Sequence, residues 1–237
     1  MMMVWLWLPI VAAPYSMDPN SPRYPLFLLG VYAVIWSGLA IAPHYRDDWL
    51  LENVLVVLAL PLFVLGYRRL RFSNRAYTQL FAFMVLHAIG AHYTYAEVPY
   101  DAWFRALTGT GFNELFGWRR NHFDRLVHFM YGFLLFRLVW ELFAARAKAV
   151  GIWRYLLPLG FMFSHGMIFE LIEWMAAEWF GGDLGAAYLG TQGDSWDAHK
   201  DMALAALGSV LALGIILLGE RRSAVTAPIG SARMRRS

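Results

Sequence analysis

Six long apolar stretches constrain this chain more than any other feature of its sequence. A helix that crosses the hydrocarbon core of a bilayer needs about 20 residues that are mostly apolar, and each stretch is close to that length or exceeds it. They run over Tyr24–Ala42, Trp49–Tyr67, Ala76–Tyr95, Phe123–Ala145, Trp153–Phe180 and Ala198–Gly219. We therefore predict an all-α fold, a polytopic membrane helix bundle with about six transmembrane helices.

The composition supports the same class and excludes several others. Of the 237 residues, 59% are hydrophobic and only 16% are charged. A soluble domain has about 45–50% apolar residues and about 25% charged residues. This excess of apolar residues excludes a soluble enzyme, a nucleic-acid-binding protein and a disordered chain. The sequence contains 0 cysteines, which excludes disulfides, thiolate metal sites and cysteine nucleophiles.

The segments at the two ends of the chain are expected to lie outside the bundle. The first fourteen residues, MMMVWLWLPIVAAP, are apolar but short, and no Lys or Arg precedes them. That pattern disfavours a signal peptide, so we interpret residues 1–23 as an interfacial segment. Residues 24–219 form the predicted transmembrane bundle, and residues 220–237 form a basic cytoplasmic tail.

Basic residues predict the orientation of the bundle, because loops on the cytoplasmic side of a membrane carry an excess of Lys and Arg. One side holds the larger set: Arg68, Arg69, Arg71, Arg75, Arg146, Lys148, Arg154, Arg221, Arg222, Arg233, Arg235 and Arg236. The loops on the opposite side hold a smaller set, namely Arg46, Arg105, Arg119 and Arg120. We therefore expect both termini in the cytoplasm and the protein in a bacterial inner membrane.

Acidic residues and histidines are concentrated on the opposite, outer side. Of the 17 acidic residues, all but Asp18, Glu141 and Glu220 fall in the outer loops or the outer halves of the stretches. An ionisable side chain inside a membrane helix costs roughly 2.5–3.5 kcal/mol by insertion scales and usually marks function. The sequence therefore predicts a polar functional site at the outer face.

Two pairs of candidate residues lie on the third and fourth stretches. His87 and His92 are five residues apart, which does not place them on one helix face, and they are also explained as interfacial anchors. Asp124 and His128 are four residues apart and share a face. A carboxylate and an imidazole at that spacing form either a hydrogen-bonded pair or two metal ligands.

The fifth and sixth stretches contribute carboxylates. Glu170 and Glu173 share a face, and two carboxylates this close in apolar surroundings cannot both ionise without a cation. A divalent metal, a shared proton, or a partner such as Arg125 or Lys200 would relieve them, and a buried salt-bridge cluster is the structural alternative. Asp194, Asp197 and Asp201 form one stripe at the start of the last stretch.

Together these residues predict a divalent metal ion held by oxygen and nitrogen ligands. Such a thiol-free set suits Mg, Mn, Fe or Zn. The candidate ligands are His87, His92, Asp124, His128, Glu173 and Asp197. Glu170 or Asp201 is the candidate general base, and Lys200 or Arg125 is expected to hold an anionic group.

The leading functional hypothesis is a metal-dependent membrane hydrolase or transferase. It would act at the outer leaflet on a lipid-linked or envelope substrate, with a metal-bound water as the nucleophile. Its partners would be membrane lipids and not nucleic acid. An ion- or proton-coupled transporter and a non-catalytic scaffold are the alternatives, although a transporter needs a polar path that continues to the inner side.

Four segments carry a resemblance to a known family. They are LHAIGAHYTYAEVP, NHFDRLVHF, ELIEW and GTQGDSWDAHKDM, and they resemble the YjdF-type family of uncharacterised bacterial inner-membrane proteins over about Asp48 to Gly219. The Asp124-Arg-x-x-His128-Phe129 motif and the last two helices are more distantly similar to VanZ-like membrane proteins, which are associated with teicoplanin resistance. Asp201 stands where that wider group usually has Asn, and Leu204 where it has Gly. The resemblance implies a related fold and the same compartment, and it implies no reaction.

Overall fold

The computed structural model describes residues 22–67, 69–189 and 191–226. Within these ranges, the side chains of residues 183, 184, 186, 187 and 222–226 are not described. The predicted interfacial segment 1–23 and the basic tail 220–237 lie mostly outside the described residues, so both stay predictions.

Helices make up nearly all of the described chain. They are α1 (Arg23–Leu39), α2 (Arg46–Gly66), α3 (Asn74–Tyr93), α4 (Tyr100–Thr108), α5 (Phe112–Phe116), α6 (Phe123–Arg146), α7 (Trp153–Phe180), α8 (Gly182–Leu189) and α9 (Asp197–Thr226). A single 3-10 turn, Tyr95–Glu97, follows α3, and the described residues contain no β-strand. The all-α class is confirmed.

Each of the six apolar stretches coincides with one of the long helices, within a few residues at most ends. Four of them, α2, α6, α7 and α9, are long and apolar enough to cross a membrane. Helix α1 is apolar but has only 17 residues, or about 26 Å at 1.5 Å per residue. Helix α3 has 20 residues and is less apolar because it carries Gln79, His87 and His92 among others. The helices form a membrane bundle.

Helices α6 and α9 make the closest contact in the bundle, through two glycines. A Cβ atom on Gly132 of α6 would lie 1.9 Å from the carbonyl oxygen of Ala205 on α9. A Cβ atom on Gly208 of α9 would lie 2.2 Å from the carbonyl oxygen of Phe129 on α6. Small residues allow helix backbones in membranes to approach closely. This contact brings the acidic first turns of α6 and α9 together.

The two ends of the bundle differ in charge. The acidic end contains the first turns of α2, α6 and α9 together with the last turns of α3 and α7. The basic end contains the exposed Arg69, Arg71 and Arg75 near the start of α3. Its buried Glu141 accepts hydrogen bonds from the amide and the hydroxyl of Ser73, at 2.8 and 2.6 Å.

Short helices α4 and α5 occupy the segment between α3 and α6. This segment carries exposed large apolar side chains, namely Trp103, Leu107, Leu115, Phe116 and Trp118. Asn113 holds the segment together: its amide donates to Asp101 at 2.7 Å, and its side-chain oxygen accepts from Tyr100 at 2.7 Å. The segment ends at Arg120, which reaches the acidic end of the bundle.

Candidate metal centre

His128 lies at the centre of the polar residues inside the acidic end. It is one helical turn after Asp124 on α6, so both side chains project from the same face. Its Nε2 atom lies 3.5 Å from Oδ1 of Asp124, and its Nδ1 atom lies 3.5 Å from Oε1 of Glu170 on α7. The His128 side chain is only 11% exposed. Each imidazole nitrogen therefore faces a different carboxyl group.

Two sets of three potential ligands share His128. The first consists of Asp124, His128 and Asp201, and the second of His128, Glu170 and Glu173. Within each set, one potential ligand atom per residue lies within 4.8 Å of the others. We refer to these five residues, which come from α6, α7 and α9, as the acid cluster. Zinc–ligand distances of about 2.0–2.2 Å place two ligands of one ion at most about 4.4 Å apart, so the spacing in each set is close to that of a metal site.

The acid cluster contains four carboxyl groups and no Lys or Arg. Asp124, Glu170 and Asp201 are 9%, 8% and 2% exposed, respectively. Oε1 of Glu170 and Oδ1 of Asp201 are buried and have no hydrogen-bond partner. Among the described residues, no Lys or Arg forms an ion pair with any member of the cluster. Buried carboxylates without a donor or a cation are costly, so this arrangement calls for a bound cation or for protons.

A second group of charged residues, which we call the ionic layer, lies beside the acid cluster. It consists of Arg120, Arg125, Asp194, Asp197 and Lys200. Arg125 donates to Asp194 at 2.5 Å and to Asp197 at 3.0 Å, and Arg120 donates to Asp197 at 2.7 Å. Lys200 donates to Asp194 at 2.5 Å. That hydrogen bond, more than any other contact, holds the pKa of the Asp194 carboxyl well below its usual range.

The ionic layer accounts for three of the residues singled out from the sequence. Arg125 and Lys200, the suggested partners of the glutamate pair, form ion pairs with Asp194 instead. Asp197 is buried between Arg120 and Arg125 and belongs to neither ligand set. The reason is the loop before α9, which places Asp194 next to α6, closer to these cations than Glu170 is.

The two histidines of α3 lie apart from the ligand sets. His87 Nδ1 is 2.5 Å from the hydroxyl of Tyr95, and its Nε2 atom is buried without a hydrogen-bond partner. His92 turns to another face, where its Nδ1 atom lies 2.7 Å from the carbonyl oxygen of Leu39. Their spacing of five residues explains this divergence. Their proposed roles as ligands, like those of the other candidates, stay predictions.

Sequence reasoning did not single out three residues that the structure places at or near the site. Glu52 of α2 is buried and interacts electrostatically with Asp48 and Asp124. Asp48 is also buried and accepts a 2.6 Å hydrogen bond from the hydroxyl of Thr94. Their four-residue spacing at the start of an apolar stretch was a signal that could have found them. Arg120 gave no such signal, because 77 positions separate it from Asp197.

Comparisons with known proteins agree with the fold. The family model described as "Predicted membrane protein (DUF2238)" matches residues 24–222. The chain is 33% identical over 183 residues to the inner membrane protein YjdF of Escherichia coli (strain K12), covering 75% of this chain and 80% of that protein. No solved structure matches the chain. The distant likeness to VanZ-like proteins stays a prediction.

The family match, over residues 24–222, covers the helices that build the acidic end. The family match and the relative agree with the YjdF-type resemblance of the sequence motifs, and the four apolar helices agree with a multi-pass membrane protein. The chain is therefore an integral membrane protein that belongs to the DUF2238 family of predicted membrane proteins.

Proposed function

We propose that the protein is a metal-dependent hydrolase or transferase that acts at the outer face of the membrane on a lipid-linked substrate. The observation that carries this proposal is the acid cluster: two sets of ligand atoms, each within 4.8 Å, that share His128. A divalent cation would neutralise carboxylates that have no Lys or Arg partner among the described residues. Oxygen and nitrogen ligands of this kind suit Mn, Fe, Zn or Mg.

His128 explains why the two ligand sets would serve one ion. A neutral imidazole offers one nitrogen to a metal while the other nitrogen donates a hydrogen bond to a carboxylate, which orients the ring. If Nδ1 binds the ion with Glu170 and Glu173, then Nε2–H donates to Asp124. If Nε2 binds it with Asp124 and Asp201, then Nδ1–H donates to Glu170. The sets are thus alternative positions of one ion.

The remaining roles follow from position. A bound divalent ion would lower the pKa of a water molecule and supply a nucleophile near neutral pH. Glu170 or Asp201, each with a buried oxygen that lacks a partner, would accept the proton of that water. The ionic layer has three cations against two carboxylates, and its one excess positive charge would attract an anionic group of the substrate, such as a phosphate.

Two alternatives are weaker on specific grounds. A transporter needs acidic groups that continue toward the basic end, where Glu141 already accepts two hydrogen bonds from Ser73 and Glu220 pairs with Arg154 and Tyr155. A scaffold that only fastens helices would pair its charges completely. Each charged group of the ionic layer takes part in at least one ion pair, whereas the acid cluster keeps buried carboxylate oxygens without a partner.

The first experiment is metal analysis of the protein purified in detergent. We expect about one divalent ion per chain. His128→Ala, Glu170→Gln and Glu173→Gln should each lose most of it. His199→Ala is the matched control, because His199 is an exposed imidazole at the same end and belongs to neither ligand set. Metal content near zero in the unmodified protein, after reconstitution with Mn²⁺ or Zn²⁺, would contradict the proposal.

A second experiment tests turnover while the substrate is still unidentified. Metal-loaded protein is incubated with an inner-membrane lipid extract in water enriched in ¹⁸O, and the lipids are examined by mass spectrometry. A hydrolase is expected to transfer ¹⁸O to a lipid product, and His128→Ala should abolish the transfer. A transferase would yield a new conjugated lipid instead. If the protein binds metal but forms neither product, the metal site is structural and the enzymatic function is refuted.

A further inference from the structure

An apolar cleft opens at the other end of the bundle, far along the helices from the acid cluster. It lies between α1, α2 and α3 and has a volume of about 230 Å³. Its walls are Pro22, Pro25, Leu26, Leu28, Leu29, Tyr32, Ala59, Leu60, Phe63, Val64, Tyr67, Tyr77, Leu80, Phe81 and Met84. None of these side chains is charged, so the cleft suits a hydrocarbon chain.

The dimensions of the cleft match one leaflet of a bilayer. Its wall on α1 runs from Pro22 to Tyr32, which is about 15 Å at 1.5 Å per residue. That length is half of a hydrocarbon core about 30 Å thick. The lining therefore begins at the basic end and stops near the middle of the membrane, as an acyl chain of one leaflet does.

Arginines lie around the mouth of the cleft. The guanidinium of Arg71 lies 5.6 Å from the ring centre of Tyr67, which lines the cleft. Arg75 is exposed and precedes the lining residue Tyr77 by two positions, and Arg23 is exposed and follows Pro22 directly. The sequence has no acidic residue between positions 54 and 96. Glu141 of α6 lies near this end and accepts hydrogen bonds from Ser73, and the three arginines against this carboxylate leave the mouth positive.

We propose that this cleft binds one acyl chain of an anionic phospholipid, with the lipid phosphate held by arginines at the basic end. Apolar walls one leaflet long select a lipid chain, and the arginines select a negative headgroup over a zwitterionic one. A basic cluster at a membrane surface attracts anionic lipid. This site is separate from the acid cluster, so it is independent of the proposed enzymatic function.

Native mass spectrometry tests the headgroup preference. Detergent-purified protein is titrated with phosphatidylglycerol and with phosphatidylcholine that carries the same acyl chains. We expect phosphatidylglycerol to bind at least tenfold more tightly, and the double variant Arg71→Gln/Arg75→Gln to lose this preference. Arg221→Gln, an exposed arginine at the end of α9, is the control and should retain it. Equal binding of both lipids, or loss of preference in the control alone, would overturn the proposal.

Filling the cleft tests the chain-binding part. Leu29→Trp should weaken phosphatidylglycerol binding, whereas Val34→Trp, on the same helix but 74% exposed, should not. A photo-crosslinking amino acid at position 29 then reports the occupant directly in native membranes. A phospholipid adduct supports the proposal. An adduct with residues 1–21 of the same chain, or with a second copy, shows that protein covers the cleft and refutes it.

Discussion

Replacing Gly132 by alanine should separate helices α6 and α9 and lower metal binding at the proposed site. The new Cβ atom would lie 1.9 Å from the carbonyl oxygen of Ala205, about 1.5 Å short of ordinary contact at 3.4 Å. The obstacle is backbone rather than the flexible end of a side chain, so the helices must move apart. His128 lies one turn before Gly132, and Asp201 lies one turn before Ala205. The movement therefore acts directly on the ligand set.

Two effects of opposite sign determine how much the free energy of unfolding decreases. Overpacking of a well-packed contact costs typically about 1–3 kcal/mol. Replacing a helix-interior glycine by alanine returns about 0.5–1 kcal/mol through chain entropy. We expect a net loss of about 1–2 kcal/mol. Metal binding should suffer more, because ligand distances tolerate only about ±0.2 Å.

The assay is thermal unfolding in detergent, followed by tryptophan fluorescence, together with metal analysis of the same preparations. Gly214→Ala is the matched control: Gly214 lies on α9, and its added Cβ would meet nothing within 4 Å. This control should unfold at the same temperature as the unmodified protein or slightly above it, with its metal content unchanged. Gly132→Ala should unfold at a temperature several degrees lower and lose its metal.

The result that would refute this reasoning is equal behaviour of the two variants. If Gly132→Ala unfolds at the same temperature as Gly214→Ala and binds the same amount of metal, the close contact of α6 and α9 is not what positions the acid cluster. A destabilised Gly132→Ala variant that keeps its metal would show that Asp201 is not needed as a ligand.

Three further predictions concern other parts of the molecule. Glu141→Gln should lower the free energy of unfolding by about 1–3 kcal/mol, because hydrogen bonds to a charged acceptor are worth more than neutral ones and this carboxylate accepts two from Ser73. Glu178→Gln, at an exposed position on α7, is the control and should have little effect in the same unfolding assay. Asp194→Asn should destabilise the protein by a constant amount from pH 8 to pH 5, and the difference from the unmodified protein should shrink below about pH 4. The reason is that a carboxyl with a lowered pKa stabilises the fold above its unfolded pKa and loses that contribution as the pH falls through its folded pKa. A difference in thermal unfolding that already shrinks near pH 6 would contradict this. A reporter enzyme fused after Ser237 should be active only in the cytoplasm, and periplasmic activity would reverse the assignment of every loop.

The helices and their approximate ends were accessible from the sequence because each depends on a local property. A membrane helix satisfies its own backbone hydrogen bonds, so an apolar run of sufficient length is enough to predict it. The pairs Asp124 with His128 and Glu170 with Glu173 were accessible for the same reason, because spacing along a helix places both members on one face. The prediction that these pairs turn inward rests on the cost of charge in lipid.

The rotation and distance of one helix relative to another were decided only by the tertiary structure. Gly132 and Gly208 set the close approach of α6 and α9, and that approach groups Asp201 with His128 while Asp197, one turn earlier on α9, falls among arginines. His92 faces α1 rather than the cluster, although only five residues separate it from His87. Depth follows from counting residues along one helix. Which side chains come together in one site depends on the packing of several helices against one another, and no single stretch of sequence contains that information.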